Sequence, residues 1–101
     1  MGNKFWFPSA VFEGKVNYQV QIEVDSGVIS EVKVGVVKSP NVLHLDGMAL
    51  PGFIDTHCHG GSGFFFSDNL RENLESIAKF HLINGTTTLF ASLVSEDKGT
   101  L

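Results

Sequence analysis

The stretch that decides the fold is residues 50–63, which read LPGFIDTHCHGGSG. A Pro-Gly turn is followed by a short apolar run, two histidines one residue apart, and a glycine-rich loop. Because alternate side chains of a strand share a face, Asp55, His57 and His59 are predicted to point one way. Cys58 is then expected on the opposite face, as a buried and inert thiol. Two imidazoles side by side at the end of a strand form half of a metal site.

The residues around this stretch predict a strand–helix–strand unit. Residues 53–59 lack a clean apolar/polar alternation, which is typical of a strand covered on both faces. After a loop over residues 60–67, a helix is expected to end at Asn84-Gly85, and residues 86–94 to form a second strand parallel to the first. The helix is indicated by helical spacing of Leu70, Leu74, Ile77, Ala78 and His81, and by a capping pattern of Asn69 and Glu72.

The first half of the chain predicts β structure. Apolar and polar side chains alternate over residues 16–24, which is typical of a strand with one solvated face. Asp25-Ser26-Gly27 favours a turn into a second strand over residues 28–37. A short strand over residues 42–45, a turn at Asp46-Gly47, and an edge strand or cover from the aromatic residues 5–7 complete a small antiparallel module. The boundary between the two halves is expected near residue 50.

Composition narrows the class of protein. The chain has 101 residues, of which 43% are apolar and 18% charged, and a net charge of -4. This favours a globular protein, and without a run of lysines it argues against a nucleic-acid partner. The apolar segment near the start is too short for a signal peptide or a membrane span. A single cysteine fits a reducing compartment, so we expect a cytoplasmic protein without a membrane partner.

The second half is too short for a complete α/β domain. One strand–helix–strand unit leaves sheet edges unpaired and one face bare, whereas a complete (β/α)8 barrel takes roughly 250 residues. We therefore expect either the N-terminal fragment of a longer protein or a short chain whose open sheet is covered by a partner.

Two motifs resemble a known family. Residues 50–61, and NGTTTLFASLVS at residues 84–95, are similar to the amidohydrolase superfamily and, within it, to the N-acetylglucosamine-6-phosphate deacetylases. Hydantoinases and dihydroorotases share the His-x-His but usually lack this loop followed by Gly-Thr-Thr-Thr. The resemblance implies an α/β fold in which residues 1–50 form part of a small antiparallel β-sandwich module. Residues 51–101 would be the first βαβ unit of a (β/α)8 metal-dependent hydrolase barrel.

The resemblance also implies an activity and a cofactor. The activity would be hydrolysis of the linear amide of N-acetylglucosamine 6-phosphate to glucosamine 6-phosphate and acetate, a step of amino sugar catabolism. His57 and His59 would bind a divalent metal, with zinc as the first choice and iron or another divalent ion as alternatives. Some members of the family replace these two histidines and hold a single metal through later residues. Because this sequence has both histidines, a second metal position is expected. Asp55, Gly60 and Gly61 would orient a ligand or line the substrate loop.

The catalytic residues are expected elsewhere. In the family the catalytic Asp, the other metal ligands and the phosphate contacts come later, so here they would lie beyond Leu101. The 101-residue chain alone is therefore predicted to be inactive, and the full-length protein to be a homodimer. Two alternatives stay open: a non-catalytic remnant or binding module, and an amidohydrolase for another cyclic or acyl amide.

Each candidate residue also has a structural interpretation. His57 and His59 are then polar residues that cap a strand, and the Asp55 carboxylate is satisfied by backbone amides. The glycines of the loop would only provide positive φ angles. His44 and His81 are expected to be structural.

Overall fold

The computed structural model describes residues 2–68 and 70–93. The chain divides into two compact units, Met1–Pro51 and Gly52–Leu101. The predicted capping residue Asn69 and the last residue of the predicted strand over residues 86–94 lie outside the described residues.

The first unit is one five-stranded sheet with the order β3-β2-β1-β4, in which β5 also pairs with β1. β1 pairs with β2 and β2 with β3 in antiparallel fashion, whereas β4 and β5 lie parallel to β1. The prediction of a purely antiparallel module is therefore wrong, and the second layer of a β-sandwich is not found among residues 2–51. The strands are β1 (Asn3–Phe12), β2 (Lys15–Asp25), β3 (Val28–Val34), β4 (Leu43–His44) and β5 (Met48–Ala49).

Pro8 explains why one edge of this sheet is split into two short strands. β4 pairs with Phe5 and Trp6, and β5 pairs with Ser9 and Ala10, so the ladder is interrupted opposite Pro8. Proline has no amide hydrogen to give to a ladder. The predicted turn at Asp46-Gly47 does not reverse the chain, because β4 before it and β5 after it both run parallel to β1.

The aromatic start of the chain lies inside the sheet, not at its edge. β1 is flanked by β2 on one side and by β4 and β5 on the other. Trp6 is buried, and its indole N–H donates to the Val36 carbonyl oxygen at 2.7 Å. The ammonium group of Lys38 lies 5.0 Å from the centroid of the indole ring, within the range of a cation–π contact.

The alternation of side chains along β2 is interrupted at Gln19, which has a φ of 53°. Asn17 before it is 8% exposed and Val20 after it is 0% exposed, whereas Tyr18 of the apolar series is 66% exposed. The Asn17 side-chain amide donates to the Lys15 carbonyl oxygen at 3.2 Å, so this buried polar group has a partner. The predicted alternation over residues 16–24 is therefore not continuous. The predicted turn at Ser26-Gly27 is confirmed, with positive φ at both residues, as a two-residue hairpin requires.

The second unit is a strand, a helix and a parallel strand. β6 (Phe53–Cys58) pairs in parallel with β9 (Thr86–Ala91), as predicted, and α1 (Arg71–Ile83) connects them. The helix ends at Asn84 as predicted, and Gly85 has a φ of 98°. In the predicted loop, β7 (Gly60–Gly61) pairs with β8 (Phe64–Phe65), and a 3₁₀ turn follows. Among the described residues, no helix has the length and apolarity needed to cross a membrane.

The second unit has little buried apolar surface. Ile77 of α1 and Cys58 of β6 are its buried apolar side chains among the described residues. Ile54 in β6 is 65% exposed and Ile83 at the end of α1 is 73% exposed. The prediction that β6 is covered on both faces is therefore not met within residues 52–93, although its sequence has the apolar character of such a strand.

Truncation of Val20 tests the core of the first unit. Val20→Ala removes two buried methyl groups, and we expect the free energy of unfolding to fall by about 2 kcal/mol. Val34→Ala is the matched control, because Val34 pairs with Val20 across β2 and β3 but is 54% exposed; its cost should stay within about 0.5 kcal/mol. Urea unfolding followed by Trp6 fluorescence measures both. Equal losses in the two variants would contradict this assignment of the core.

Candidate metal centre at the end of β6

His57 and His59 lie side by side at the carboxyl end of β6. Their Nε2 atoms are 3.0 Å apart, and the ring centroids are separated by 4.9 Å at an interplanar angle of 60°. The His57 side chain is exposed and that of His59 is half-buried. The two ring nitrogens therefore converge on one point that solvent can reach, as the His-x-His spacing predicted.

This geometry fits a shared metal ion. Two imidazole nitrogens bound to one tetrahedral zinc at 2.0–2.1 Å are about 3.3 Å apart, so a small ring movement from 3.0 Å is sufficient. The same distance also suits a hydrogen bond in which one neutral imidazole donates to the other. The two interpretations differ in protonation, since a metal requires both Nε2 atoms to be free of hydrogen.

The sequence predicts that Asp55 points the same way as His57 and His59, but the structure places its carboxylate near Cys58 and His81. Its carboxylate Oδ1 accepts the backbone N–H of His57 at 3.1 Å, which fixes the backbone at the first histidine. Asp55 pairs with Leu89 and Cys58 pairs with Ala91, so β6 has one residue more than β9 in this interval. Because an extra residue reverses the alternation of side chains, Asp55 and Cys58 come to the same side.

Asp55, Cys58 and His81 form a second cluster of metal-ligand types. Their candidate ligand atoms all lie within 4.8 Å of one another. However, Nε2 of His81 lies 2.8 Å from the Gly60 carbonyl oxygen, which can only accept a hydrogen bond. That nitrogen therefore carries a hydrogen and is not available to a metal in this arrangement.

Cys58 completes the hydrogen bonding of this cluster. Its thiol is 6% exposed and donates to the Gly60 carbonyl oxygen at 3.3 Å, and its sulfur also lies 3.3 Å from Nε2 of His81. The burial agrees with the predicted buried thiol. Sequence reasoning missed that His81 reaches this strand end; the available signal was its place in the helical series that starts at Leu70.

The glycine loop is a tight hairpin, not an open segment. Ser62 and Gly63 have positive φ angles and form its two-residue turn, and the Phe66 N–H donates to the His59 carbonyl oxygen at 2.9 Å. A Cβ atom at Gly60 would collide with the Phe64 carbonyl oxygen, and one at Gly61 would lie 2.9 Å from Nε2 of His81. Close packing accounts for both glycines, and their role at a substrate stays a prediction.

The fold and the histidine pair together favour one class of protein. In folds with parallel strands, active sites lie at the carboxyl ends of the strands, which is where His57 and His59 are placed. Imidazole is the commonest protein ligand of catalytic metals. The arrangement is therefore typical of metal-dependent α/β enzymes.

Solved structures similar to this chain are deacetylases. A mutant N-acetyl-D-glucosamine-6-phosphate deacetylase from Mycobacterium smegmatis, in complex with N-acetyl-D-glucosamine-6-phosphate, is 26% identical with a TM-score of 0.86. A second structure of the M. smegmatis deacetylase is also 26% identical, with a TM-score of 0.85. These similarities cover 98% and 97% of this chain. The predicted resemblance to this deacetylase is confirmed.

The similarity extends over a limited part of those enzymes. The chain spans 26% and 28% of the two deacetylase chains, a share consistent with an N-terminal portion. No protein-family model and no curated protein sequence matches the chain.

Substitution of Asp55 tests how the backbone at the first histidine is held. Asp55→Ala removes the acceptor of the His57 amide, and we expect that amide to exchange its hydrogen about fivefold faster, since such a bond contributes about 1 kcal/mol. Asp55→Asn retains a side-chain oxygen and should exchange like the unmodified protein. Amide exchange measured by NMR gives both rates. An unchanged His57 rate in Asp55→Ala would show that the carboxylate does not hold this amide in solution.

Proposed function

We propose that this chain is the N-terminal portion of a metal-dependent amide hydrolase that deacetylates N-acetylglucosamine 6-phosphate. Water would add across the acetamide C–N bond, giving glucosamine 6-phosphate and acetate. The observation that carries the proposal is the convergence of His57 and His59 at the end of β6, in a chain that aligns over nearly all its length with such deacetylases. One of these was solved with the acetylated sugar phosphate bound.

His57 and His59 would hold the metal, and zinc is the ion that we propose first. Imidazole suits zinc, and iron or another divalent ion remains an alternative. A bound zinc supplies a water whose pKa is lowered toward ~7, and it polarises the substrate carbonyl. The chain's own part is to place the two imidazoles: the Asp55 carboxylate fixes the backbone of His57, and the hairpin after His59 fixes its carbonyl group.

The rest of the site would lie in later barrel strands. We place no catalytic acid or base in this chain, and Asp55, Gly60 and Gly61 support the site only through backbone and packing contacts. The exposed apolar side chains of β6 and α1, such as Ile54 and Ile83, would pack against further strands and helices of a (β/α)8 barrel. The β-sandwich, the homodimer and the cytoplasmic location remain predictions.

The same exposed surface suits a second candidate function. A short, non-catalytic module would also need to cover the apolar side chains of β6 and α1, and a full-length barrel is a partner that would do so. The two candidates differ in the mass of the native polypeptide.

Zinc titration tests the proposed metal centre. We expect zinc to bind the native, full-length protein. His57→Ala and His59→Ala should each weaken this binding by more than the roughly 10- to 100-fold that loss of a hydrogen-bond partner of a metal ligand costs. His44→Ala is the matched control, because His44 lies in β4 of the other unit. Competition with a chromophoric chelator measures the affinities. Unchanged zinc content in a double His57→Ala, His59→Ala variant would refute the centre.

The native protein tests the activity. Purified from its own cells, it should have a mass per chain several times the 11.0 kDa of this sequence and release acetate from N-acetylglucosamine 6-phosphate. A chelator should abolish the release and zinc should restore it, and the double histidine variant should lose at least about 100-fold. Turnover of dihydroorotate or a hydantoin instead would reassign the substrate. A native mass near 11.0 kDa would favour the non-catalytic module.

A further inference from the structure

We infer that His81 is a positioning residue of the His57–His59 centre, which it serves by holding the Gly60 carbonyl group and the Cys58 side chain, one on each side of His59. The role in metal binding rests on the proposed function, whereas the contacts of His81 are those found within the second unit. The Nε2 atom of His81 contacts the Gly60 carbonyl oxygen and the Cys58 sulfur, so its action on His59 is indirect, through these two neighbouring residues.

One imidazole ring contacts both neighbours of His59. Nε2 of His81 donates to the Gly60 carbonyl oxygen at 2.8 Å and lies 3.3 Å from the Cys58 sulfur. His81 belongs to α1, whereas Cys58 ends β6, so the contact joins the helix to the strand end across 21 to 23 residues. Because the residues on both sides of His59 are held by one ring, the backbone at His59 has less freedom and the direction of its side chain is restricted as well.

The other bonds at this strand end do not replace the contact. The Phe66 N–H holds the His59 carbonyl, and the Ser92 N–H holds the Cys58 carbonyl at 2.8 Å. In the described structure the Gly60 carbonyl oxygen accepts only from the His81 ring and the weaker Cys58 thiol. A metal centre requires its ligands to be held within about 0.5 Å of the productive geometry, so a free Gly60 peptide would loosen it.

Gly61 leaves room for the His81 ring because it has no side chain. A Cβ atom at Gly61 would lie 2.9 Å from Nε2 of His81 and 3.0 Å from a ring carbon of Phe80. Phe80 and His81 also contact each other edge to face, with ring centroids 5.2 Å apart. If His81 only filled this space, it would not need a hydrogen-bond donor. A variant that keeps the donor can therefore be compared with an apolar variant of similar size.

The experiment compares a variant that keeps the donor with one that removes it. His81→Gln places an amide N–H near the position of Nε2, whereas His81→Leu is apolar and of similar bulk. His44→Leu is the matched control, because Nε2 of His44 also lies 2.8 Å from a carbonyl oxygen, that of Ser39, in the other unit. Two quantities are measured on the full-length protein. They are the zinc affinity, by competition with a chelator, and the rate of amide exchange at Phe66 in the absence of metal.

The expected result is specific to the donor. In His81→Leu zinc should bind about tenfold more weakly and the Phe66 amide should exchange faster, whereas His81→Gln and His44→Leu should behave like the unmodified chain. If His81→Leu does not fold, His81→Asn replaces it, since its amide is too short to reach Gly60.

Two outcomes separate the positioning role from the proposed function. Unchanged Phe66 exchange and zinc affinity in a folded His81→Leu, or equal losses in His81→Gln, would overturn the positioning role. If the native, full-length protein binds no divalent metal, the proposed function fails. Phe66 exchange in the metal-free chain then decides by itself whether His81 holds this backbone.

Discussion

The extra residue of β6 opposite β9 is the constraint on which the candidate site depends. In a regular strand Asp55 and Cys58 would lie on opposite faces, because they are three residues apart. The shift in register brings them to one side, where the His81 ring also lies. The rings of His57 and His59 contact each other at the end of the strand. The Asp55 carboxylate and the Cys58 thiol belong to the other cluster.

Close packing behind the histidines follows from this arrangement. The second unit has few buried side chains, and Cys58 is one of them, so the strand end is also part of its small core. Gly60 and Gly61 allow the hairpin and α1 to approach the strand without a side chain between them. The small core and the candidate site therefore use the same stretch of backbone, and His81 connects α1 to the two residues on either side of His59.

The proposed chemistry makes use of the contrast between these two sides. The Nε2 atoms of His57 and His59 face one point accessible to solvent, whereas Nε2 of His81 is committed to a carbonyl oxygen. The roles that we propose for the three histidines therefore differ, and each is set by the partner of its ring nitrogen. The similarity to deacetylases extends over nearly the whole chain, and the completion of the histidine pair by residues of later barrel strands is part of the proposal.

The sequence by itself determined the elements with local signals. These are the alternation that forms β2, the turn at Ser26-Gly27, the helix end at Gly85, and the two histidines at a strand end, because propensity, positive φ and residue spacing act over a few residues. Tertiary structure decided the parallel edge strands, the central place of β1, and the meeting of Asp55, Cys58 and His81. The extra residue in β6 produces the last of these features, and Pro8 accounts for the division of the edge into β4 and β5. Pairing between segments that are distant in the chain has no local signature in the sequence.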